Sequence, residues 1–470
     1  MPEVKTRYLL KSGAAFDAVP DFCYIWNGFS PPPVNMKLPI DKQVYDSVLK
    51  QMDILDISAA TIRQSGAIAK ALENLCQTEF LHLEMGIPGL PPVRVGVDAE
   101  KKALDSGVAS QYPNMFGIPK LKEQASRFLK AYLDIDIDPL GCIPTVGSMQ
   151  GSFSTFLLCS HLVEGRDTIL FIDPGFPVQR TQTRILGIAS DSFDIYDFRG
   201  DKLGPELERH LEGGRIAAII YSSPNNPAWF NLTEDELKTI GELATKYDAI
   251  VIEDLAYMCM DFRKPLGQPF EPPFQPTIAK YTDNYIIMMS GSKMFSYAGQ
   301  RIAIIAISDA LYHREYPLLP QWYKMSRLGD AYVFAILYAV SSGATHSAQY
   351  ALAEMLRAAA DGELDFVTSA AEYARRAKIS KKMFTDNGFH IVYSMDGDEP
   401  VSDGFFYTVG YKDMSSGELM GELIRYGMAT IALSTTGSHQ KGVRICVSQL
   451  NCENQFELLE ERIRLFAADH

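Results

Sequence analysis

The sequence has few cysteines, and they form no pattern. The seven are scattered over the 470 residues, at Cys23, Cys76, Cys142, Cys159, Cys259, Cys446 and Cys452. No two have the spacing of a metal-ligand or redox pair, and an odd number does not complete a disulfide framework. We therefore predict no metal site, and we expect most of these thiols to be buried in a reducing, cytoplasmic compartment.

Positive charge and long apolar runs are also scarce. Lysine and arginine number 44 against 58 aspartates and glutamates, which gives a formal net charge of -14. This charge repels the phosphates of nucleic acids and of anionic membranes, so both are disfavoured as partners. No apolar run is long enough to span a bilayer, and the first residues lack the basic and apolar segments of a signal peptide. We expect a cytoplasmic protein.

Apolar residues are plentiful enough for more than one core. They make up 47% of the chain, and its length exceeds that of one compact core. We predict an N-terminal arm over residues 1–40, which includes three consecutive prolines, and the N-terminal part of a small domain over 41–90. A large domain follows over 91–332, and the C-terminal part of the small domain over 333–470.

The middle of the chain alternates helical patterns with short apolar strands. The predicted strands are Thr168–Ile172, Ala217–Ser222, Ala249–Glu253, Tyr285–Met289 and Ile302–Ile307. The predicted helices are Lys120–Leu133, Ser148–Leu162, Pro177–Leu186 and Asp235–Tyr247. Apolar strands separated by helices are typical of an α/β fold whose mainly parallel sheet is covered on both faces. Ligands of such sheets bind at the carboxyl ends of the strands.

The two ends of the chain show a mixed α+β pattern. Apolar residues recur at helical spacing from Asp41 to Gln77, and a short strand begins at Phe80. The helices predicted near the C-terminus are Val333–Ala359, Phe366–Asn387, Gly417–Tyr426 and one that begins at Asn454. The strands predicted there are Ile391–Ser394, Phe405–Tyr411 and Arg444–Ser448.

Two strand ends carry turns with more than one interpretation. The segment Thr145–Gly151 opens a helix and contains Ser148. Its free backbone N–H groups form either a phosphate cradle or an ordinary helix N-terminus. The segment Tyr221–Trp229 contains two asparagines between prolines, which either fix an amide side chain in place or simply make a tight turn.

Two further strand ends carry charged residues. In Ile250–Tyr257 an acid, Asp254, ends a buried strand, and Tyr257 follows three residues later. A buried carboxylate needs a partner, which is either a structural salt bridge or a bound ligand. In Ser290–Arg301 a polar turn with Lys293 lies between two apolar strands. Alone, this lysine is an ordinary turn residue more often than a catalytic amine.

The four features together match the needs of pyridoxal phosphate. A phosphate cradle holds its phosphate, and a lysine forms the Schiff base. A buried acid keeps the pyridine nitrogen protonated so that the ring accepts electrons. An amide and a phenol can hydrogen-bond the ring 3-oxygen.

In these motifs and their order, the sequence resembles the class I and II pyridoxal-phosphate-dependent aminotransferases. This family has fold type I, the fold of aspartate aminotransferase. The resemblance implies a seven-stranded, mainly parallel sheet between helices, with a smaller α+β domain. It implies Lys293, Asp254 and Tyr257 as catalytic residues. The cofactor-binding set that it implies adds Ser148, Met149, Phe176, Asn226, Ser290, Arg301 and, from a partner subunit, Tyr112. The substrate-binding set is Gly86, Asn226 and Arg444, whose fork suits a carboxylate.

The resemblance implies a homodimeric enzyme that moves the amino group of an L-amino acid to a 2-oxo acid by a ping-pong mechanism. A β-lyase or decarboxylase on the same scaffold is an alternative, and a non-catalytic regulator is a more distant one. One departure is clear: the family usually reads Asn-Pro-Thr-Gly where this chain has Asn226-Pro-Ala-Trp229. The indole suggests a reshaped loop near the site.

Substrate selectivity is expected to depend on four loops: Trp26–Val34, Ile87–Val93, Gln321–Asp330 and Leu433–Lys441. The aromatic residues Trp26, Phe29, Tyr112, Phe176 and Trp229 either line the pocket or belong to the core or interface. Arg327 is one candidate for binding a second carboxylate of the substrate. We expect a preference for aromatic or medium-sized neutral amino acids over aspartate.

Overall fold

The computed structural model describes residues 38–470. Its strands are β1 (Leu81–His82), β2 (Cys142–Thr145), β3 (Thr168–Asp173), β4 (Ala189–Asp194), β5 (Ile216–Ser222), β6 (Ile250–Asp254), β7 (Tyr285–Ser290), β8 (Ala303–Ile307), β9 (Phe389–Ile391), β10 (Met395–Asp396), β11 (Glu399–Pro400), β12 (Phe406–Tyr411), β13 (Met428–Ala429), β14 (Ile431–Ala432) and β15 (Val443–Cys446).

The α-helices surround these strands. They are α1 (Lys42–Gln51), α2 (Ile62–Cys76), α3 (Arg94–Asp105), α4 (Pro119–Leu133), α5 (Gly147–Cys159), α6 (Pro177–Leu186), α7 (Leu203–Leu211), α8 (Glu234–Tyr247), α9 (Gly291–Met294), α10 (Asp309–His313), α11 (Leu319–Tyr323), α12 (Leu328–Asp330), α13 (Tyr338–Ser341), α14 (His346–Ala360), α15 (Phe366–Asp386), α16 (Ser416–Arg425) and α17 (Glu453–Asp469). A π-helix over Ala331–Leu337 precedes α13.

A seven-stranded sheet forms the centre of the molecule. Its strand order is β2-β8-β7-β6-β5-β3-β4. Only β8 runs antiparallel to its neighbours β2 and β7, and the other strands run parallel. Strands β5, β6 and β7 are buried along their whole length, as expected of a sheet covered by helices on both faces. The predicted fold class is confirmed.

A smaller antiparallel sheet, in the order β14-β15-β12-β9, lies in the C-terminal part of the chain. The early and late parts of the chain meet beside it. Strand β1 pairs in parallel with β13, so Leu81 lies opposite Met428. The N–H of Ile40 donates a 2.7 Å hydrogen bond to the carbonyl oxygen of Arg425. These pairings agree with a small domain built from both ends of the chain, although the predicted boundaries stay a prediction.

The structure refines one predicted element and corrects two others. The helical pattern over 41–77 forms two helices, α1 and α2. The predicted helix Val333–Ala359 is broken at Ser342 and Gly343, where φ is +54° and +112°, and α14 beyond the break packs against α3 and α4. The predicted strand Ile391–Ser394 is wrong, since β9 ends at Ile391 and β10 begins at Met395.

Six cysteines lie among the described residues, and none of these forms a disulfide. Five are buried and Cys452 is exposed, which agrees with the expectation of mostly buried thiols. The predicted arm lies mostly outside the described residues, as do Cys23, the Trp26–Val34 loop, Trp26 and Phe29. Over residues 38–470, each helix is too short or too polar to cross a membrane.

Candidate active site

The predicted strand-end features meet at one edge of the central sheet. On β6, Asp254 lies opposite Ser222 of β5. Ser290 at the end of β7 and Thr145 at the end of β2 both pair with Ala303 of β8. Parallel strands place their carboxyl ends together, so the loops that follow these strands form one site.

Lys293 lies in α9, the single helical turn that follows β7. Its Nζ donates a hydrogen bond to the carbonyl oxygen of Gly86 and lies 5.5 Å from the centre of the Phe405 ring. Burial lowers the pKa of this amine to about 8, and the nearby guanidinium groups of Arg444 and Arg301 act in the same direction. With this pKa about one Lys293 amine in ten is neutral at pH 7, far more than for an ordinary lysine. A nucleophile or base must be neutral to react.

Asp254 is buried without a cationic partner. Nε2 of Gln179 donates to its Oδ2 at 3.0 Å, and the N–H of Ala256 donates to its Oδ1 at 3.2 Å. Burial raises the pKa of this carboxyl group to about 6, against the opposing effect of the two hydrogen bonds. Within residues 38–470 it forms no ion pair, so the structural salt bridge is not observed. The carboxylate is suited to pair with a protonated nitrogen of a ligand.

Arg444 on β15 is a buried cation with an unused donor. Its Nη1 donates to Oδ1 of Asn226 at 2.9 Å, and its Nη2 donates to the carbonyl oxygen of Glu84. Its guanidinium carbon lies 4.4 Å from the centre of the Phe406 ring. Its Nε is buried and has no hydrogen-bond partner among the described residues. Burial lowers its pKa. An anionic ligand such as a carboxylate would complete its hydrogen bonds.

Tyr257 lies in an aromatic cluster beside Arg444. Its ring centre is 5.2 Å from that of Trp229 and 5.5 Å from those of Phe405 and Phe406. Burial raises the pKa of its hydroxyl well above the ordinary value, against the opposing charge of Arg444. The phenol therefore stays protonated and can donate a hydrogen bond to a ligand.

The residues predicted to hold a phosphate lie at the start of α5 and around α9. No side chain caps the N-terminus of α5, and the buried Oγ of Ser148 lacks a hydrogen-bond partner within the described range. Gly147 has φ +68°, and a Cβ there would overlap the guanidinium group of Arg301. Ser290 donates from its Oγ to that of Ser292 at 3.0 Å. Uncapped N–H groups, hydroxyls and a guanidinium group make an anion site.

Four other residues predicted for the site have contacts or exposure of their own. The carbonyl oxygen of Met149 accepts a 2.8 Å hydrogen bond from Nε2 of Gln182. Phe176 is partly buried and is the residue that immediately precedes α6. Tyr112 is 90% exposed, and its predicted role in a partner subunit's site stays a prediction. Arg327 is a surface residue whose Nε lies 4.0 Å from a carboxylate oxygen of Glu315.

Sequence reasoning missed several residues of the site. Gln179 holds Asp254, Ser292 joins Ser290, and Phe405 and Phe406 lie beneath Lys293 and Arg444. Only the position of Gln179, one helical turn after Phe176, offered a signal in the sequence. Trp229, considered as a possible pocket residue, is fully buried and belongs to the core behind Tyr257.

The arrangement fits pyridoxal phosphate on three counts. Within residues 38–470, a buried carboxylate without a cationic partner matches a protonated pyridine nitrogen, and an uncapped helix with the unpartnered Ser148 matches a phosphate. Lys293 offers an amine at the same edge of the sheet. The described residues contain no group of three or more histidine, cysteine, aspartate or glutamate side chains able to hold a metal ion.

Comparison with known proteins agrees with this geometry. The family described as aminotransferase class I and II matches residues 73–461. A probable aspartate aminotransferase of Methanocaldococcus jannaschii is 26% identical over 286 residues, which cover 60% of this chain and 72% of that protein. Kynurenine–oxoglutarate transaminase 1 of Homo sapiens is 26% identical over 194 residues, which cover 39% of this chain and 45% of that protein.

The fold also matches solved structures. A single mutant of Thermus thermophilus aspartate aminotransferase superposes with a TM-score of 0.69 at 18% identity, covering 87% of this chain and 97% of that one. At this identity the likeness concerns the fold alone.

Proposed function

This chain belongs to the class I and II aminotransferase family, and on that premise we propose that Lys293 binds pyridoxal phosphate and carries the proton transfers of transamination. The family and the named relatives make the protein an aminotransferase. They do not favour a β-lyase, a decarboxylase or a non-catalytic regulator.

One observation supports it above the others: the Lys293 amine lies near two guanidinium groups that are suited to different anions. Arg301 lies beside the uncapped start of α5, where a phosphate would bind, and Arg444 has the free Nε that a substrate carboxylate would occupy. Both guanidinium groups lower the pKa of Lys293. An amine in this position would lie near both the phosphate of the cofactor and the carboxylate of the substrate, and it could therefore reach the substrate Cα.

The residues divide the chemistry between them. Pyridoxal phosphate, when bound, supplies the electron sink that stabilises negative charge on the substrate Cα. Asp254 would keep the ring nitrogen protonated, and Tyr257 and Asn226 would donate hydrogen bonds to the ring oxygen. Ser148, Ser290 and Arg301 would hold the phosphate. Nζ of Lys293 would take the proton from Cα and return it later, which requires the neutral amine that the lowered pKa provides.

The substrate class follows from the groups around Arg444. Its guanidinium group would bind the α-carboxylate that every amino acid has. The rings of Phe405 and Phe406 lie nearby, and Arg180, a further arginine beside the strand ends, is paired with Asp173. We therefore propose a preference for aromatic or medium-sized neutral amino acids. A screen of donors against 2-oxoglutarate and pyruvate tests this, and a large preference for aspartate would contradict it.

Two further elements concern assembly and location. The 90% exposure of Tyr112 supports a homodimer in which this side chain completes the partner's site. The free, mostly buried thiols support a cytoplasmic location. Sedimentation of the purified protein tests the first element, and fractionation of the source cells tests the second.

The lysine assignment has a direct test. Borohydride reduction of the holoenzyme followed by peptide mass spectrometry should find the cofactor attached to Lys293. The variant Lys293→Ala should lose the visible cofactor absorbance and turnover. Lys122→Met is a matched control, because burial also lowers the pKa of Lys122 to about 8, yet this lysine bonds the carbonyl oxygens of Leu140 and Cys142. A yellow, active Lys293→Ala enzyme would contradict the proposal.

A further inference from the structure

Trp229 has an unusual backbone for so large a side chain. Its φ is +67°, in the left-handed region that glycine adopts without cost and bulky residues rarely adopt. The side chain is fully buried, and the indole Nε1 has no hydrogen-bond partner among the described residues. A strained backbone with an unpaired buried donor needs a compensating role, and such outliers cluster at functional sites.

The indole contacts two residues of the site. Its ring centre lies 5.2 Å from that of Tyr257 and 6.1 Å from that of Phe406, in edge-on orientations. The rings of Tyr257 and Phe406 are themselves 5.5 Å apart, so the three form a closed triangle. On another side Phe406 supports the Arg444 guanidinium group at 4.4 Å, and a Cβ on Gly86 would lie 3.1 Å from its ring.

The space for the indole is provided by one glycine. A Cβ on Gly404, two residues before β12, would overlap the indole ring of Trp229. Trp229 lies in the loop after β5 of the central sheet, whereas Phe406 begins β12 of the smaller sheet and Gly404 lies just before that strand. The Trp229–Gly404 contact therefore joins the two halves of the site.

We propose that Trp229 is a positioning residue, whose indole holds Tyr257 and, through Phe406, the guanidinium group of Arg444. This inference rests on the proposed roles of Tyr257 and Arg444. If the indole sets the position of Arg444, its loss must weaken binding of the substrate carboxylate more than binding of the cofactor. If it sets the position of Tyr257, its loss must also change the hydrogen bond of the phenol to the cofactor ring.

The main variant is Trp229→Gly, which removes the indole and suits the left-handed backbone. We expect KM for the preferred amino donor to rise about tenfold, since small misplacements of a binding group have large effects. The dissociation constant of the apoenzyme for pyridoxal phosphate should change less than about threefold, because the phosphate ligands are untouched. The pH midpoint of the holoenzyme's visible absorption should rise by about half a unit. Trp229→Phe, which keeps an aromatic ring at this position, should have a KM closer to that of the wild type than to that of Trp229→Gly.

The glycine supplies a second, independent test. Gly404→Ala should lower the unfolding temperature of the apoenzyme and raise KM in the wild-type background. In the Trp229→Gly background the same substitution should have little effect on either quantity, because the overlap is gone. Trp322→Phe is the control, because Trp322 is 59% exposed and stacks on His161; it should leave all of these measurements unchanged.

The outcomes separate the inference from the proposed function. An unchanged KM and absorption midpoint in Trp229→Gly, with only a lower unfolding temperature, would make the indole a packing residue and overturn the inference. Equal effects of Gly404→Ala in both backgrounds would overturn it as well. If Arg444→Leu left KM unchanged, the proposed carboxylate site itself would fail. A raised KM in Arg444→Leu with a normal KM in Trp229→Gly would leave the proposed function intact and remove only the inference.

Discussion

The two faces of β6 each bury one carboxyl group, on adjacent residues. Glu253 accepts hydrogen bonds from the hydroxyls of Tyr221 and Thr277 and from the N–H of Ile278. Asp254 accepts one from Gln179 and one from the N–H of Ala256. Burial raises the pKa of Glu253 to about 7 and that of Asp254 to about 6. Within the part of the chain that the structure describes, neither forms an ion pair.

The difference between them lies in their surroundings. The protein provides three donors for Glu253, so the group is well satisfied where it is. Asp254 has fewer donors and ends its strand at the ligand-binding edge, near Tyr257. A raised pKa alone therefore does not mark a catalytic group, because structural acids are perturbed as well. Asp254 is distinguished from the structural Glu253 by its position at the ligand-binding edge and by its unused hydrogen-bonding capacity.

The largest expected effect tests this distinction directly. Asp254→Asn should lower kcat by about 10²–10³-fold, since it removes a charge that stabilises the transition state. Glu253→Gln should lower kcat less than about threefold, because its site is only structural. Steady-state kinetics with saturating cofactor measure both. Similar losses in the two variants would mean that the comparison is wrong.

The second prediction extends the comparison to two lysines with the same lowered pKa. In the apoenzyme, labelling of Lys293 by an amine reagent should rise with pH to a half-maximum near pH 8, the value for its amine. At pH 7 its neutral fraction then exceeds that of an ordinary lysine by about 100-fold or more. Lys122, which bonds two carbonyl oxygens, should react more slowly. Competitive labelling with mass spectrometry measures both rates, and a half-maximum near pH 10 for Lys293 would contradict the prediction.

Most of the fold could be predicted from the sequence, because buried parallel strands are apolar along their length. The strands β5, β6 and β7 were predicted within one residue at each end. Strand β2 was missed because it is only four residues long and contains Pro144. Strand β4 was missed because most of Ala189–Asp194 is polar or small and its first two residues are exposed.

The site was predictable where a motif is local and not where it depends on tertiary contacts. Lys293, Asp254 and Tyr257 follow apolar strands in the chain, so their positions could be read directly. The contact of Arg444 with Asn226 joins residues 218 positions apart, and nothing local indicates it. The same holds for Phe406 beneath Arg444 and for Gly404 against Trp229. Packing between the two sheets decides these contacts.

Asp254 and Glu253 should affect the pH dependence of stability in the same way, and this is the third prediction. A carboxyl group whose pKa is higher in the folded than in the unfolded state stabilises the fold below its unfolded pKa. This contribution is lost as the pH rises through the folded value, here about 6 for Asp254 and about 7 for Glu253. The loss amounts to at most about 3 kcal/mol for Asp254 and about 3–4 kcal/mol for Glu253.

At pH 8 the apoenzyme of Asp254→Asn should therefore be more stable than wild type by about 1–2 kcal/mol, after allowance for its altered hydrogen bonds. Glu253→Gln should respond to pH in the same direction. Urea unfolding of the apoenzymes between pH 5 and 8 measures the difference. If the Asp254→Asn apoenzyme lost as much stability between pH 5 and pH 8 as the wild-type apoenzyme does, the pH dependence would belong to other groups.

The smallest expected effect concerns the donors of the two acids. Gln179→Leu removes a hydrogen bond that favours ionised Asp254, so the pKa of Asp254 should rise further. The affinity of the apoenzyme for pyridoxal phosphate should then fall about fivefold near pH 6.5 and recover above pH 8, where the carboxyl group is ionised again. Thr277→Val removes one donor of Glu253 and should leave this affinity unchanged at both pH values. Fluorescence titration of the apoenzymes measures the dissociation constants for pyridoxal phosphate.

Two outcomes would contradict this prediction. An affinity loss in Gln179→Leu that is independent of pH would mean that Gln179 acts only by packing. An affinity loss in Thr277→Val would mean that the two faces of β6 are coupled.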